Sequence, residues 1–350
     1  YPLIDGVVNG CPSHLLEPQS LNSQTNSEDL TVASSYPLGA VSISSNQAIS
    51  PNGTLNADKL VESNTNGRHE LYGKSVSFSG TTSVSFFAKA AERRYISVFA
   101  GGNPAVGGAT FDVQDGVVSL TSGGTDASIM NYGNGWYRCS FTSTSTLTIS
   151  MYYCLRDNGN AVDVQTYQGD GTSGMYLWGF QTEIGQSYPT SYIPTTTSAV
   201  TRVAETANGA GDASTFNDSE GVLMAEISAF DESLLAISLS NGTTSNGVVL
   251  FYYLNRIYLE INNSLTNVSI FKGGIGSSNS NKIALKYKSG NISMFFNGYE
   301  ILTSTNAISL SGLDRINFDY GNGNYDFNGN TKQIQYFDSA LNDSDLEKIT

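Results

Sequence analysis

At 350 residues the chain is long enough to bury a sizeable core, and its length predicts two domains rather than one. Charged residues make up only 14%, and 36 Gly, 20 Tyr and 16 Phe describe short strands joined by many turns, not a charged disordered tail or a Glu/Lys/Leu-rich helical protein. Seventeen basic against 31 acidic residues leave a net charge of −14, which argues against a nucleic-acid partner and against attraction to an anionic lipid surface. No apolar run approaches the ~18 residues of a membrane span, so no membrane insertion is expected. No basic stretch followed by an apolar one marks a signal peptide, and the missing initiator Met sets the expectation of a processed or partial chain.

In chain order, residues 75–89 (SVSFSGTTSVSFFAK) alternate apolar and polar around a Gly-Thr-Thr turn and predict a hairpin. Strands over 95–100, 109–113 and 116–120 follow, with Asp115-Gly116 as a tight turn. Residues 136–142 and 147–155 form the next predicted hairpin, and 173–184 another strand. Turn signals about every ten residues are the spacing of a β-sandwich or jelly roll. Residues 204–216 (AETANGAGDASTF) have no apolar periodicity and read as a linker. Strand patterning resumes over 221–230, 235–239, 248–255, 257–262, 268–271, 281–288, 291–296, 316–320 and 332–337, with Lys288-Ser-Gly-Asn291 and Asn297-Gly298 as hairpin turns. Only residues 342–350 look helical, with Asn342 as N-cap and acidic residues in the first turn. The predicted fold is all-β, two tandem antiparallel β-sandwich domains, residues 1–203 and 217–350, joined by the linker 204–216.

Cys11, Cys139 and Cys154 are too few for a disulfide framework. If residues 143–146 turn a hairpin, Cys139 and Cys154 lie opposite one another. A cross-strand disulfide is then open to them, and two reduced, buried thiols are the preferred expectation. No Cys/His spacing for zinc is present.

Catalytic patterns are equally sparse. A retaining glucanase needs two carboxylates about 5–5.5 Å apart, hence acidic residues at i and i+4 on one strand face. That spacing occurs in Asp343-x-Asp345-x-Glu347, inside the predicted helix, where it reads as helix-start acids. Glu226 has Ser228 and Phe230 at the partner positions. His14 and His69 stand beside no nucleophile motif and read as structural or solvent-facing. Gly101-Gly102 and Gly107-Gly108 lack the helix and Lys of a phosphate loop and read as turns.

Trp136 and Trp178 have rings suited to stacking on a sugar face, although core packing is the preferred reading of both. The better binding candidate is the Gly-rich stretch Tyr320-Gly-Asn-Gly-Asn-Tyr-Asp-Phe-Asn-Gly-Asn330 between strands. Tyr325 can stack while Asn322, Asn324, Asp326 and Asn328 bond hydroxyls. The same oxygens suit a structural Ca²⁺ with Asp326 as its carboxylate, and no other cofactor is expected. The bland alternative is a polar loop of turn-forming residues. In the run Phe251-Tyr-Tyr-Leu-Asn-Arg-Ile-Tyr258, read around an Asn255-Arg256 turn, one of Tyr252, Tyr253 and Tyr258 is expected on an exposed concave sheet face, with face packing accounting for the others.

Four segments stand out in order: Gly10-Cys-Pro-Ser-His-Leu-Leu-Glu-Pro-Gln19 with Ser27-Glu-Asp29, Ser50-Pro-Asn-Gly-Thr-Leu-Asn-Ala-Asp-Lys-Leu60, Gly133-Asn-Gly-Trp-Tyr-Arg138, and Leu177-Trp-Gly-Phe-Gln-Thr-Glu-Ile-Gly-Gln-Ser-Tyr-Pro-Thr-Ser-Tyr-Ile-Pro194, closing on Val200-Thr-Arg-Val-Ala204. These segments resemble a group of bacteriophage virion proteins, usually fibre or tail components, that carry tandem concanavalin A-like (lectin/glucanase) jelly rolls. Asn52 stands where the group carries Asp. Residues 217–350 are more loosely similar to laminin-G/concanavalin A-like modules, through Phe295-Phe-Asn-Gly298 and Ile334-Gln-Tyr-Phe-Asp-Ser-Ala-Leu341. The resemblance implies a non-enzymatic protein of the virion surface, present in several copies beside other virion proteins and attaching to a host surface glycan. The alternatives are a secreted or bacterial cell-surface carbohydrate-binding module of a polysaccharide-degrading protein, and a purely structural virion decoration.

Overall fold

The computed structural model describes residues 3–4, 7–8, 13–32, 36, 38–77, 80–101, 107–123, 126–145, 148–162, 165–230, 233–263 and 267–350. Cys11 lies outside them. The chain is all-β apart from one short helix, and it divides into two compact units, Tyr1–Gly10 with Gln19–Val203, and Cys11–Pro18 with Ala204–Thr350.

The first unit is a jelly-roll sandwich of two antiparallel sheets. One runs Asp126–Gly133, Trp136–Ser145, Gly80–Ala90, Gly174–Ile184, Ser20–Asn22 and Val200–Arg202, with Leu55–Glu62 pairing Gly174–Ile184 and carrying Val41–Ile49. The other runs Val117–Ser122, Gly108–Asp112, Tyr95–Ala100, Thr148–Arg156, Glu70–Ser77 and Leu38–Gly39. Period-two alternation fills the space between them: Val84, Phe86 and Ala88 point inward with Ile96, Val98, Phe111, Phe141, Tyr153 and Phe180, while Phe87 packs on the opposite face.

Two hairpins expected from sequence are crossovers between the sheets. Glu70–Ser77 and Gly80–Ala90 belong to different sheets, as do Trp136–Ser145 and Thr148–Arg156. A short polar break between apolar runs looks the same whether the chain folds back within a layer or steps across the core. Cys139 therefore pairs across its ladder with Phe86 and Ile129, whereas Cys154 sits between Ser97 and Glu70. The cross-strand disulfide is excluded, and both are buried free thiols whose burial pushes their pKa upward.

The far face of the first sheet carries, beside the Phe87, Trp136 and Trp178 cluster, a buried polar patch covered by residues 188–195. Gln181 accepts the Ile193 N–H at 2.7 Å and donates to the Thr190 carbonyl at 3.2 Å. Buried Glu183 accepts from Ser20 Oγ, Thr190 Oγ1 and the Thr190 N–H, and Arg138 Nη2 donates to the Thr190 carbonyl at 2.7 Å. Asn22 Nδ2 reaches the Phe180 and Ile193 carbonyls at 3.1 and 2.8 Å. This network is the physical content of the Gln-x-Glu and Thr-Ser-Tyr-Ile-Pro positions, since each buried polar group needs a partner.

The second unit is also a sandwich. Its six-stranded sheet runs Tyr299–Ser304, Ile292–Phe296, Asn281–Lys288, Glu220–Ala229, Gly329–Phe337 and His14–Leu16. Its five-stranded sheet runs Asn267–Gly273, Arg256–Asn262, Gly247–Tyr252, Leu235–Ser240 and Arg315–Asn317. The pairing of His14 to Leu16 with Gly329 to Thr331 brings the leading segment, expected with the first domain, into this unit. Residues 204–216 are likewise not a free linker. Ala210 bridges Ile316, the Phe318 N–H donates to the Ala207 carbonyl, and Phe216 is buried against Tyr336. Small residues without periodicity can still run along a sheet edge, because backbone groups make those bonds. The terminal helix, Asp343–Ile349, is capped by Asn342 Oδ1 and buries Leu346 against Val222, Met224, Ala284 and Phe295.

Gln181→Ala leaves the Ile193 N–H buried without its acceptor, while the Thr190 carbonyl keeps Arg138, a cost of about 1–3 kcal/mol. Denaturant unfolding followed by tryptophan fluorescence, which reports this unit through Trp136 and Trp178, is expected to show an earlier midpoint. An unchanged midpoint would contradict the anchoring role.

Candidate functional site

The site grows from the pleat of the five-stranded sheet. Leu235, Ile237, Leu239, Val248, Leu250, Tyr252, Ile257, Leu259, Ile261 and Val268 face the core. Their alternates turn outward, and the register sets Ala236 opposite Phe251, Phe251 opposite Tyr258, and Tyr258 opposite Phe271. An aromatic row thus crosses three strands. Phe251 and Tyr258 stack at 4.4 Å with 6° between planes, and Tyr258 lies 5.2 Å from Phe271. The Arg256 guanidinium sits 4.6 Å over the Phe271 ring.

The small side chain of Ala236 leaves room for the 318–328 loop to close over the fourth strand. The Ala236 N–H donates to the Tyr325 carbonyl at 3.1 Å, and Ala236 bridges Asp326 in parallel register. Tyr320 then stands 5.6 Å from Phe251 and Tyr325 stands 5.9 Å from Tyr320, extending the row to five rings. Phe251 at its middle is 7% exposed, whereas Phe271 and Tyr325 at its ends are 48% and 56% exposed. The Tyr320 hydroxyl donates to Glu260, and burial, then this carboxylate, push its pKa upward.

Sequence reasoning located two of these five rings. Tyr258 and Tyr325 are in the row. Tyr252 is not: it is 2% exposed and belongs to the core. The turn lies one residue earlier than expected, with Leu254 and Asn255 at φ 49° and 57° between the paired Tyr253 and Arg256. Tyr252 thus keeps the inward parity of Val248 and Leu250, a parity that three consecutive aromatics hide. The loop amides shape the loop. Asn322 Oδ1 accepts the Asn324 N–H, the Tyr320 N–H donates to the Asn324 carbonyl, and Asn328 Nδ2 donates to the Asp326 carbonyl. Asp326 has Asp319 as its charged neighbour, and among the described residues no group of three His, Cys, Asp or Glu side chains converges. Phe251, Phe271, Arg256, Tyr320 and Glu260 were not singled out for the site, because the row depends on pairing across strands.

Elsewhere, Trp136 and Trp178 pack with Ala57 and Phe87 in the first unit, and Trp136 Nε1–H donates to the Ile49 carbonyl at 2.8 Å. His69 is buried with its ring nitrogens at the Ala40 and Tyr167 carbonyls. Glu226 pairs with Lys332 at 3.1 Å. Among the described residues no helix is long and apolar enough to cross a membrane.

No protein-family model matches the chain, and no curated protein matches it. Solved structures similar to it include the CBM40 module of the Ruminococcus gnavus IT-sialidase bound to α2,6-sialyllactose, at 19% identity and a TM-score of 0.36, covering 41% of this chain and 94% of that one. A leech intramolecular trans-sialidase complexed with 2,7-anhydro-Neu5Ac matches at 19% identity and 0.33, over 38% of this chain and 23% of its own. Domains LG4–5 of the mouse laminin α1 chain match at 10% identity and 0.30, over 98% and 96%.

Burial, reinforced by the Asp319 charge, raises the Asp326 carboxyl above the ordinary aspartate value. The folded state thus favours the protonated form, and the associated stability is fully present below the ordinary range and lost as pH rises through the raised value. In EDTA, Asp326→Asn is expected to raise the melting temperature of the second unit at neutral pH and to leave it unchanged well below the aspartate range. The readout is the calorimetric transition that carries no tryptophan signal. Absence of a gain at neutral pH would contradict this account.

Proposed function

We propose that the protein is a non-catalytic glycan-binding protein whose principal contact surface is the aromatic row of the second unit. The observation that carries this reading is the row itself: five rings aligned across the outer face of a sheet, packed in the middle and exposed at both ends. Flat apolar faces beside polar groups match a sugar, whose C–H patches meet the π cloud while its hydroxyls bond to neighbouring groups. The polar groups available to such hydroxyls are Arg256 over Phe271, Glu260 at the Tyr320 hydroxyl, and the exposed amides of Asn322 and Asn324 in the loop between Tyr320 and Tyr325. The surplus of acidic residues weighs against a polyanionic nucleic acid as the ligand of this stacking surface.

For the biological setting, the ordered segments of the first unit support attachment of a virion to a host surface glycan. The alternative is a secreted or cell-surface bacterial carbohydrate-binding module, and it rests on the same site. Immuno-electron microscopy of particles separates the two: labelled copies are expected on the virion, and unlabelled particles would leave the bacterial reading.

Tyr258→Ala and Tyr325→Ala are each expected to weaken binding to the strongest glycan-array hit of the wild type by at least about tenfold (~1.4 kcal/mol), with an unchanged melting temperature. Binding unaffected by either substitution would contradict the reading. The same measurement in EDTA tests the calcium expectation for Asp326.

A further inference from the structure

The first unit holds a cleft that neither the fold nor the aromatic row requires. It measures about 680 Å³, within the size range of small-ligand sites. One wall is the end of the Val41–Ile49 strand with the turn that follows it to Gly53, the other the Gly133–Trp136 turn, and Lys89, Tyr132 and Tyr176 complete the lining. Three segments singled out in the sequence therefore converge here: Ser50-Pro-Asn-Gly-Thr54, Gly133-Asn-Gly-Trp136, and the strand that carries Leu177-Trp178.

Both walls are held in place. Ser50 Oγ donates toward Asn52 and Asn56 side chains at 2.7 and 2.6 Å, the Thr54 N–H donates to Asn52, and Trp136 Nε1–H ties Ile49 to the opposite wall. The register places Lys89 between Trp136 on one neighbouring strand and Tyr176 on the other. Asn134 and Gly135 form the turn at φ 53° and 78°, and a Cβ on Gly135 would lie 3.3 Å from Lys89 Cε, so the turn rests on the lysine stem. Tyr132 packs edge-on to Phe87 at 4.9 Å beside it.

Charge identifies the occupant. In a chain of net charge −14, the residues lining this cleft include no Asp or Glu, and Lys89 is their sole charge. Among the described residues no carboxylate pairs with its ammonium. A single cation between aromatic rings, with exposed amides at Gln47 and Asn134, is complementary to a sugar ring that bears one carboxylate.

We propose that this cleft is a second saccharide site, selective for carboxylate-bearing sugars such as uronates or sialates, with Lys89 binding the carboxylate, the half-buried Tyr132 and Tyr176 receiving the ring, and buried Trp136 forming the floor. It is independent of the aromatic row, so either site can fail alone.

Both tryptophans lie in the first unit, so their fluorescence reports this cleft in the whole protein. Titrations with trigalacturonate, its methyl ester, N-acetylneuraminic acid and galactotriose are the test. A saturable change is expected with at least one of the two acids. Binding should weaken at least about tenfold with the neutral sugars and with Lys89→Gln, and stay within about threefold for Lys89→Arg and for Tyr299→Ala, an exposed residue of the other unit outside both sites. No saturable change with either acid, equal binding of the methyl ester, or undiminished binding by Lys89→Gln would each overturn the proposal.

Discussion

The strand pleat, held in register by tight turns, is the constraint on which the rest of this molecule depends. In the five-stranded sheet, one set of alternates supplies the aliphatic core and the other supplies Phe251, Tyr258 and Phe271. A slip of one residue would exchange the two sets and expose side chains worth about 1.5–3 kcal/mol each when buried. The Leu254–Asn255 turn and its paired flanks fix that register beside the Phe251–Tyr258 pair in the middle of the row. The aromatic surface is therefore a consequence of core burial: its rings can only face outward.

The first unit follows the same logic with polar chemistry. Its far sheet face would strand Gln181, Glu183 and Arg138 in a buried setting without partners. The 188–195 segment supplies them with backbone groups and is fixed in return. Where that cover ends, the face is left open beside Lys89, Tyr132 and Tyr176. The segments that resemble virion proteins thus have structural work in this unit, and two of them, Ser50–Leu60 and Gly133–Arg138, also frame an open cleft.

Much of the fold was legible in the sequence, because local rules decide it. The turns at Asp115-Gly116, Lys288–Asn291 and Asn297-Gly298, and the Asn342 cap, all depend on residues adjacent in the chain. What failed was non-local. Which sheet Glu70–Ser77, Gly80–Ala90, Trp136–Ser145 and Thr148–Arg156 each join depends on long-range pairing, and alternation alone is blind to that. The Ala204–Phe216 segment is held by backbone bonds and by scattered contacts of Glu205, Asn208 and Phe216, none of which recurs with a strand or helix period. The site divides the same way. Tyr325 and Tyr258 stood out locally, whereas Phe271 and Arg256 matter only through pairing across strands, and Tyr252 was misread for want of its parity.

The central claim is that the row on the outer face of the five-stranded sheet is where a glycan lies. Hydroxyl-radical footprinting of the full chain, with and without a bound array-selected glycan, tests it residue by residue. The expected result is protection of Tyr258, Phe271 and Tyr325, with the exposed Tyr299 of the other sheet unchanged. Protection confined to Tyr299, or none along the row at saturating glycan, would contradict the account.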